Sequence, residues 1–227
     1  VLGNIARELH ATGKYNIDVI AINYSGDPMD AEKWPGNVYP AMPGGLMNAG
    51  AYGDVYGRQR LLDLMGSGKY DVVFMLQDTF VIEPIMEEIK KTQDALAGNG
   101  MKTFKTVWYY PVDAQLKKQW VDTVAGADFP VVYTEYGKAE TLKHIPELED
   151  RLRVIYHGNN PSNFFPIQDK KDVADFRHQY FNGKADDRFL IVNINRNQPR
   201  KDIARSLMIL KELWDRGRRP LLYLHMQ

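Results

Sequence analysis

The chain has 227 residues, of which 44% are apolar, enough to bury a sizeable core. Lysine plus arginine and aspartate plus glutamate number 29 each, so no net field steers it toward nucleic acid, and no basic tract does so locally. Cysteine is absent, which excludes a disulfide framework, a thiolate nucleophile and a cysteine metal site, and is consistent with a cytoplasmic location.

Leu2, Ile5, Ala6 and Leu9 recur at helical spacing and Gly13 closes the pattern, so the chain is expected to open inside a helix whose preceding strand is missing. Ile17 to Ile22 reads as a strand. The Gly/Pro-rich segment Ser25 to Gly53 reads as a long functional loop, with Trp34, Tyr39 and Met42 as candidates for ligand recognition. Arg58 to Met65 has the spacing of a short helix, and Tyr70 to Leu76 is an apolar run of strand length ending at Gln77-Asp78-Thr79.

Pro84 to Ala97 is predicted helical, with Pro84 at the first position and Gly98 as the cap. Thr103 to Tyr110 is the next strand, ending at Pro111-Val112-Asp113. Leu116, Trp120, Val121 and Val124 form a helix face, Val131 to Tyr133 a short strand, Gly137 to Lys143 a helix and Arg153 to Tyr156 a strand. Strands alternating with helices imply a parallel sheet covered on both faces. No apolar run approaches the length of a membrane span.

Composition turns polar from Pro161 to Asp187, with Val173, Phe176 and Tyr180 at helical spacing, and a domain boundary is placed near Gln168. The expected domains are therefore residues 1–168 and 169–227. A second sheet begins at Arg188. Helix Lys201 to Trp214 presents Ile203, Leu207, Leu210 and Trp214, and Pro220 to His225 supplies another strand.

Two passages are more specific than their neighbours. Ile155-Tyr156-His157-Gly158-Asn159-Asn160…Phe165-Pro166 and Asn195-Arg196…Arg200-Lys201-Asp202 each follow a buried strand. They resemble the "HGVD…F.P" and "GR…KG" passages of the retaining family 4 glycosyltransferases of the GT-B fold. Leu76-Gln77-Asp78-Thr79, Tyr109-Tyr110-Pro111-Val112-Asp113 and Tyr133-Thr134-Glu135-Tyr136-Gly137 resemble further strand-end motifs of a subgroup. The chain departs from the family pattern at Asp202, where Gly is usual, and at Asn195, where Gly often precedes the Arg.

The resemblance implies two facing Rossmann-like domains, the second incomplete here, and transfer of a sugar from a nucleotide-diphosphate sugar to a carbohydrate, lipid or protein acceptor, with retention. The nucleotide sugar is a substrate, so no cofactor is implied, and no metal. Arg196 and Lys201 would hold the donor diphosphate, helped by the N-terminus of the helix that follows. The family's paired-glutamate motif would follow Gln227, so the segment by itself is expected to turn over weakly or not at all.

Asp113 is the candidate catalytic residue, orienting an acceptor hydroxyl or accepting its proton; its alternative role is to cap a helix beginning at Ala114. Asp78 has the same two readings. His157 is a cleft or hinge residue, and Gly158 is expected to occupy a backbone conformation that side chains disfavour. Trp108, Tyr109, Tyr110 and Trp120 could stack on a sugar, though their spacing suits core positions. Lys117, Lys118 and Trp120 leave peripheral membrane contact open. Two rival readings are a GT-B-shaped nucleotide-sugar epimerase and a non-catalytic binding fragment.

Overall fold

The structure, a computed structural model, describes residues 2–22, 24, 36–42 and 54–226. It divides into two compact units, Val1–Asn160 and Pro161–Gln227.

In the first unit, helix α1 (Leu2–Ala11) ends at a turn in which Gly13 (φ 69°) donates its amide to the His10 carbonyl at 2.9 Å. Strand β1 (Val19–Ala21) pairs in parallel with β2 (Val38–Pro40). Strand β2 lies inside the segment read from sequence as loop. It is held there by Asp18, whose Oδ1 accepts from the Asn37 amide at 3.1 Å and from Asn37 Nδ2 at 2.9 Å, while Tyr70 donates to Oδ2 at 2.8 Å. Tyr39 therefore belongs to a strand and Met42 is buried; Trp34 falls outside the described residues.

Helix α2 (Arg58–Gly66) leads to β3 (Val72–Leu76), the first strand of a four-stranded all-parallel sheet in the order β3-β4-β5-β6. The others are β4 (Lys105–Tyr110), β5 (Phe129–Val132) and β6 (Arg153–Val154). Helix α3 (Thr79–Gly98) starts well before the Pro84 that was expected to open it. Pro84 sits inside, where its missing N–H leaves the Phe80 carbonyl without a helical donor. The left-handed residue beyond its end is Gly100 (φ 65°), not Gly98, because Gly98 is itself the last helical residue, one past Ala97.

Helix α4 (Lys118–Val121) continues as a 3-10 turn, Asp122–Gly126, and α5 (Glu135–Leu142) precedes β6. Ile82, Ile85, Met86 and Ile89 of α3 pack with Val73, Met75, Trp108, Tyr110 and Val132 of the sheet, and Val121 and Val124 complete this core at 0% exposure. Burying these side chains at roughly 1.5–3 kcal/mol each is the main force holding the helices to this face. The opposite face is less covered among the described residues: Val72, Phe74 and Phe129 are exposed. The unit is α/β with a Rossmann-like parallel sheet flanked by helices.

The second unit contains α6 (Lys170–Phe181), β7 (Leu190–Asn195), α7 (Ile203–Asp215) and β8 (Leu221–Met226), with β7 and β8 parallel. The side of α7 turned inward carries Ile203, Ser206, Leu210 and Leu213, and Asn193 Nδ2 on β7 donates to Ser206 Oγ at 3.0 Å. Leu207 and Trp214, expected on that side, are exposed, because the half-buried positions Ile203, Ser206, Leu210 and Leu213 recur at three- and four-residue steps that leave both off the inward stripe.

Candidate functional site

Parallel strands direct their carboxyl ends to one edge, where the loops leaving them collect ligand-binding groups. Asp78 follows β3, Asp113 follows β4, Tyr133 follows β5 and His157 follows β6, and these strands are neighbours in the sheet. The structure therefore brings three of the residues singled out from sequence, Asp78, Asp113 and His157, to one edge of the first unit.

Asp78 has the extended backbone of a helix N-cap (φ −61°, ψ 148°), yet its carboxylate accepts no capping hydrogen bond from α3. Burial, and secondarily the nearby Asp113 charge, push its pKa above the ordinary carboxylate range. Capping is thus not what this side chain does. For Asp113 the capping role fails for a different reason: no helix begins at Ala114, and α4 starts only at Lys118. Asp113 is exposed beside Asp78.

Tyr109 was not separated from its aromatic neighbours by sequence reasoning. Strand alternation sends Trp108 and Tyr110 into the α3 core and Tyr109 to the other side. There its ring meets Tyr133 edge-on at 4.4 Å and His157 at 5.3 Å, while Tyr133 and His157 approach to 3.8 Å. The Tyr109 hydroxyl donates to the Ile155 carbonyl at 2.8 Å and lies 3.0 Å from His157 Nδ1. Burial raises the Tyr133 phenol to about 12, with the Tyr109 and Asp78 groups adding to it, and burial lowers His157 below the ordinary imidazole value. At neutral pH this edge holds a neutral imidazole, two neutral phenols and the two aspartates. Tyr133 was quoted from sequence only within a strand-end motif and given no role of its own; the signal that could have singled it out is its place, the first residue after β5.

Gly158 has no left-handed φ, and a Cβ built there meets nothing within 4 Å. The expected demand for glycine is absent: the backbone is ordinary and the space is open. Trp120 does not join the Tyr109 cluster; it packs on Phe80 with Lys117 Nζ 4.8 Å from its ring.

In the second unit the loop from β7 to α7 carries Arg196, exposed, and Lys201, half-buried in the 3-10 turn Pro199–Lys201. Asp202 follows in the left-handed conformation (φ 44°, ψ 54°), the region glycine enters most readily. Its carboxylate caps α7, accepting from the Arg205 amide at 3.3 Å and from Arg205 Nε at 2.9 Å. A negative charge thus already occupies the helix N-terminus that was expected to help hold phosphate. Among the described residues neither Arg196 nor Lys201 is in an ion pair of its own, so both cations stay available to an anion.

Among the described residues no group of three or more His, Asp and Glu could hold a metal ion, and no helix is long and apolar enough to cross a membrane. Comparison with protein-family models and with curated proteins gives no match to this chain.

Proposed function

We propose that the protein is a glycosyltransferase of GT-B type that moves a sugar from a nucleotide-diphosphate sugar to a hydroxyl of an acceptor, with retention, as its resemblance to family 4 enzymes implies. The observation that carries this reading is a division of chemistry: the strand ends of one unit offer hydrogen-bond acceptors and aromatic faces, and the strand end of the other offers cations. Cations suit a diphosphate, and acceptors suit the hydroxyls of a sugar.

In this reading Arg196 binds the diphosphate through its planar fork of donors and Lys201 as a mobile point charge. The bond between the anomeric carbon and the phosphate oxygen breaks, and its electron pair leaves on the nucleoside diphosphate, where both cations stabilise it. The acceptor oxygen bonds to the anomeric carbon. Its proton passes to Asp113, whose exposed carboxylate also orients the hydroxyl. Asp78 and His157 complete the acceptor contacts. The left-handed Asp202 supports the likeness of this loop to the family's, since glycine, the usual residue there, adopts that conformation at no steric cost.

The test is calorimetric titration of the protein against nucleoside diphosphates and their sugar conjugates, with and without Lys201→Ala. One nucleotide series should bind, and the substitution should weaken it about tenfold, the equivalent of one charge-assisted contact of roughly 1.4 kcal/mol. Product analysis with and without acceptor then separates transfer from epimerisation. Binding of no nucleotide would remove the transferase reading and favour a non-catalytic binding role.

A further inference from the structure

The contacts of Tyr109 carry a consequence for the imidazole beside it. A phenol has one proton. Its oxygen lies 2.8 Å from the Ile155 carbonyl oxygen and 3.0 Å from His157 Nδ1. A carbonyl can only accept, so the contact with Ile155 is attractive only if Tyr109 spends its proton there. Were that proton given to His157 instead, two oxygens would face each other at 2.8 Å with none between them. The remaining contact then requires His157 Nδ1 to be the donor and the phenol oxygen the acceptor.

The arrangement is anchored at both ends. The Ile155 amide donates to Val132 O at 3.0 Å, extending the ladder between β5 and β6, so its carbonyl is held by the sheet. The Tyr109 ring is buried, and Tyr133 lies against both Tyr109 and His157, limiting rotation of the imidazole. Burial keeps the ring neutral near pH 7, so only one nitrogen carries a proton.

We propose that Tyr109 is a positioning residue that holds His157 as its Nδ1–H tautomer, leaving Nε2 as a lone-pair acceptor for a hydroxyl of a neutral sugar-like ligand. The other polar groups at this edge agree with that ligand class, because the carboxyl groups of Asp78 and Asp113 can accept hydrogen bonds from hydroxyls and offer no cation to a phosphate. Naming that hydroxyl as the acceptor substrate's rests on the transferase reading. The tautomer does not.

Long-range proton–nitrogen correlation on the 15N-labelled protein reads this directly, with His157→Gln used to assign the ring. The expected result at neutral pH is a protonated Nδ1 and an unprotonated Nε2. Tyr109→Phe should shift the ring toward the Nε2–H form, and a wild-type ring protonated at Nε2 would overturn the proposal even if that variant fails to fold. Titration with glucose, galactose and mannose should move the Nε2 signal for at least one of them, while inorganic phosphate should leave it in place; the reverse, or silence toward all three sugars, would refute the ligand assignment. A protein that binds no nucleotide yet gives the expected tautomer would refute the transferase reading alone.

Discussion

Asp128 and Thr106 grip each other at the start of β5 and β4. Asp128 Oδ2 accepts from both the amide and the hydroxyl of Thr106 at 2.9 Å, and Thr106 Oγ1 lies 2.9 Å from the Asp128 amide nitrogen, which donates to it. Lys105 Nζ reaches Oδ1 at 2.8 Å. Partial burial alone would raise the carboxyl's pKa, but the Lys105 and Thr106 bonds outweigh it and hold the group below its ordinary value.

A folded-state pKa that is depressed contributes stability above the unfolded value, and that contribution is lost as pH falls through the folded value. The wild type should therefore lose this increment on acidification below about pH 4, the ordinary carboxylate range. Asp128→Asn should lower stability at pH 7 by about 2 kcal/mol and flatten the acid limb. Thermal melts between pH 7 and pH 3 decide it; parallel acid limbs in the two proteins would rule the account out.

Gly137 in α5 leaves no room for a side chain, since a Cβ there would lie 2.4 Å from Val132 Cγ2 and 3.2 Å from Val112 Cβ. Both neighbours are β-branched and have few alternative rotamers. Alanine gains about 1 kcal/mol of helix propensity over glycine, but overpacking costs about 1–3 kcal/mol. Gly137→Ala should come out net destabilising by about 1 kcal/mol in chemical denaturation, and a more stable variant would show that α5 can withdraw from the sheet freely.

Asp78 pays in stability for its position. Its raised folded-state pKa means that the native state holds its proton more tightly, so stability falls as pH rises from the ordinary carboxylate value through the folded one. Asp78→Asn should be more stable than wild type at pH 7, by up to about 1 kcal/mol after solvent screening, and equal to it at acid pH. Ligand binding at this edge should weaken in the same variant. A loss of stability at neutral pH would instead reveal a structural partner for the carboxylate.

Asp202 offers two contrasting substitutions. Asp202→Gly keeps the left-handed turn and removes the carboxylate from the N-terminus of α7, so affinity for a nucleoside diphosphate should rise about threefold to tenfold. Asp202→Ala removes the same charge but strains the backbone by about 1 kcal/mol, and should melt earlier than the glycine variant. Equal affinities across wild type and both variants, measured by calorimetry, would place the anion elsewhere.

His178 Nδ1 and Asp186 Oδ2 are 2.6 Å apart, and the carboxylate raises the imidazole pKa. For a raised folded-state value the stabilisation is present below the unfolded value near 6.5 and fades as pH rises through the folded one. His178→Gln should remove the part of the melting temperature's pH dependence that lies above about pH 6.5. An unchanged profile would mean the pair is screened away in solution.

Alternation of short apolar runs with helical spacing was sufficient to read the α/β class, and the strands around Val72 to Leu76, Thr103 to Tyr110 and Leu190 to Asn195 are where that pattern places them. It also located Asp78, Asp113 and His157 at strand ends, since a strand's end is a local property. Two kinds of feature were not legible. Strand β2 lacks the apolar run of a core strand and is fixed by Asp18 and Tyr70, which are distant from it in sequence. The N-terminal limit of α3 was hidden because Pro84 imitates a helix start.

Sequence by itself determined which residues reach the edge of the sheet and that Arg196 and Lys201 share one loop, because periodicity and chain proximity decide those. Only the tertiary structure decided what the side chains do there. Asp78 keeps its carboxylate off the helix it precedes. Tyr109, turned from the core by strand alternation, meets Tyr133 and His157 because the parallel order β3-β4-β5-β6 brings the ends of β5 and β6 alongside it. Pairwise distances across that sheet depend on all four strands at once, and no stretch of chain encodes them alone.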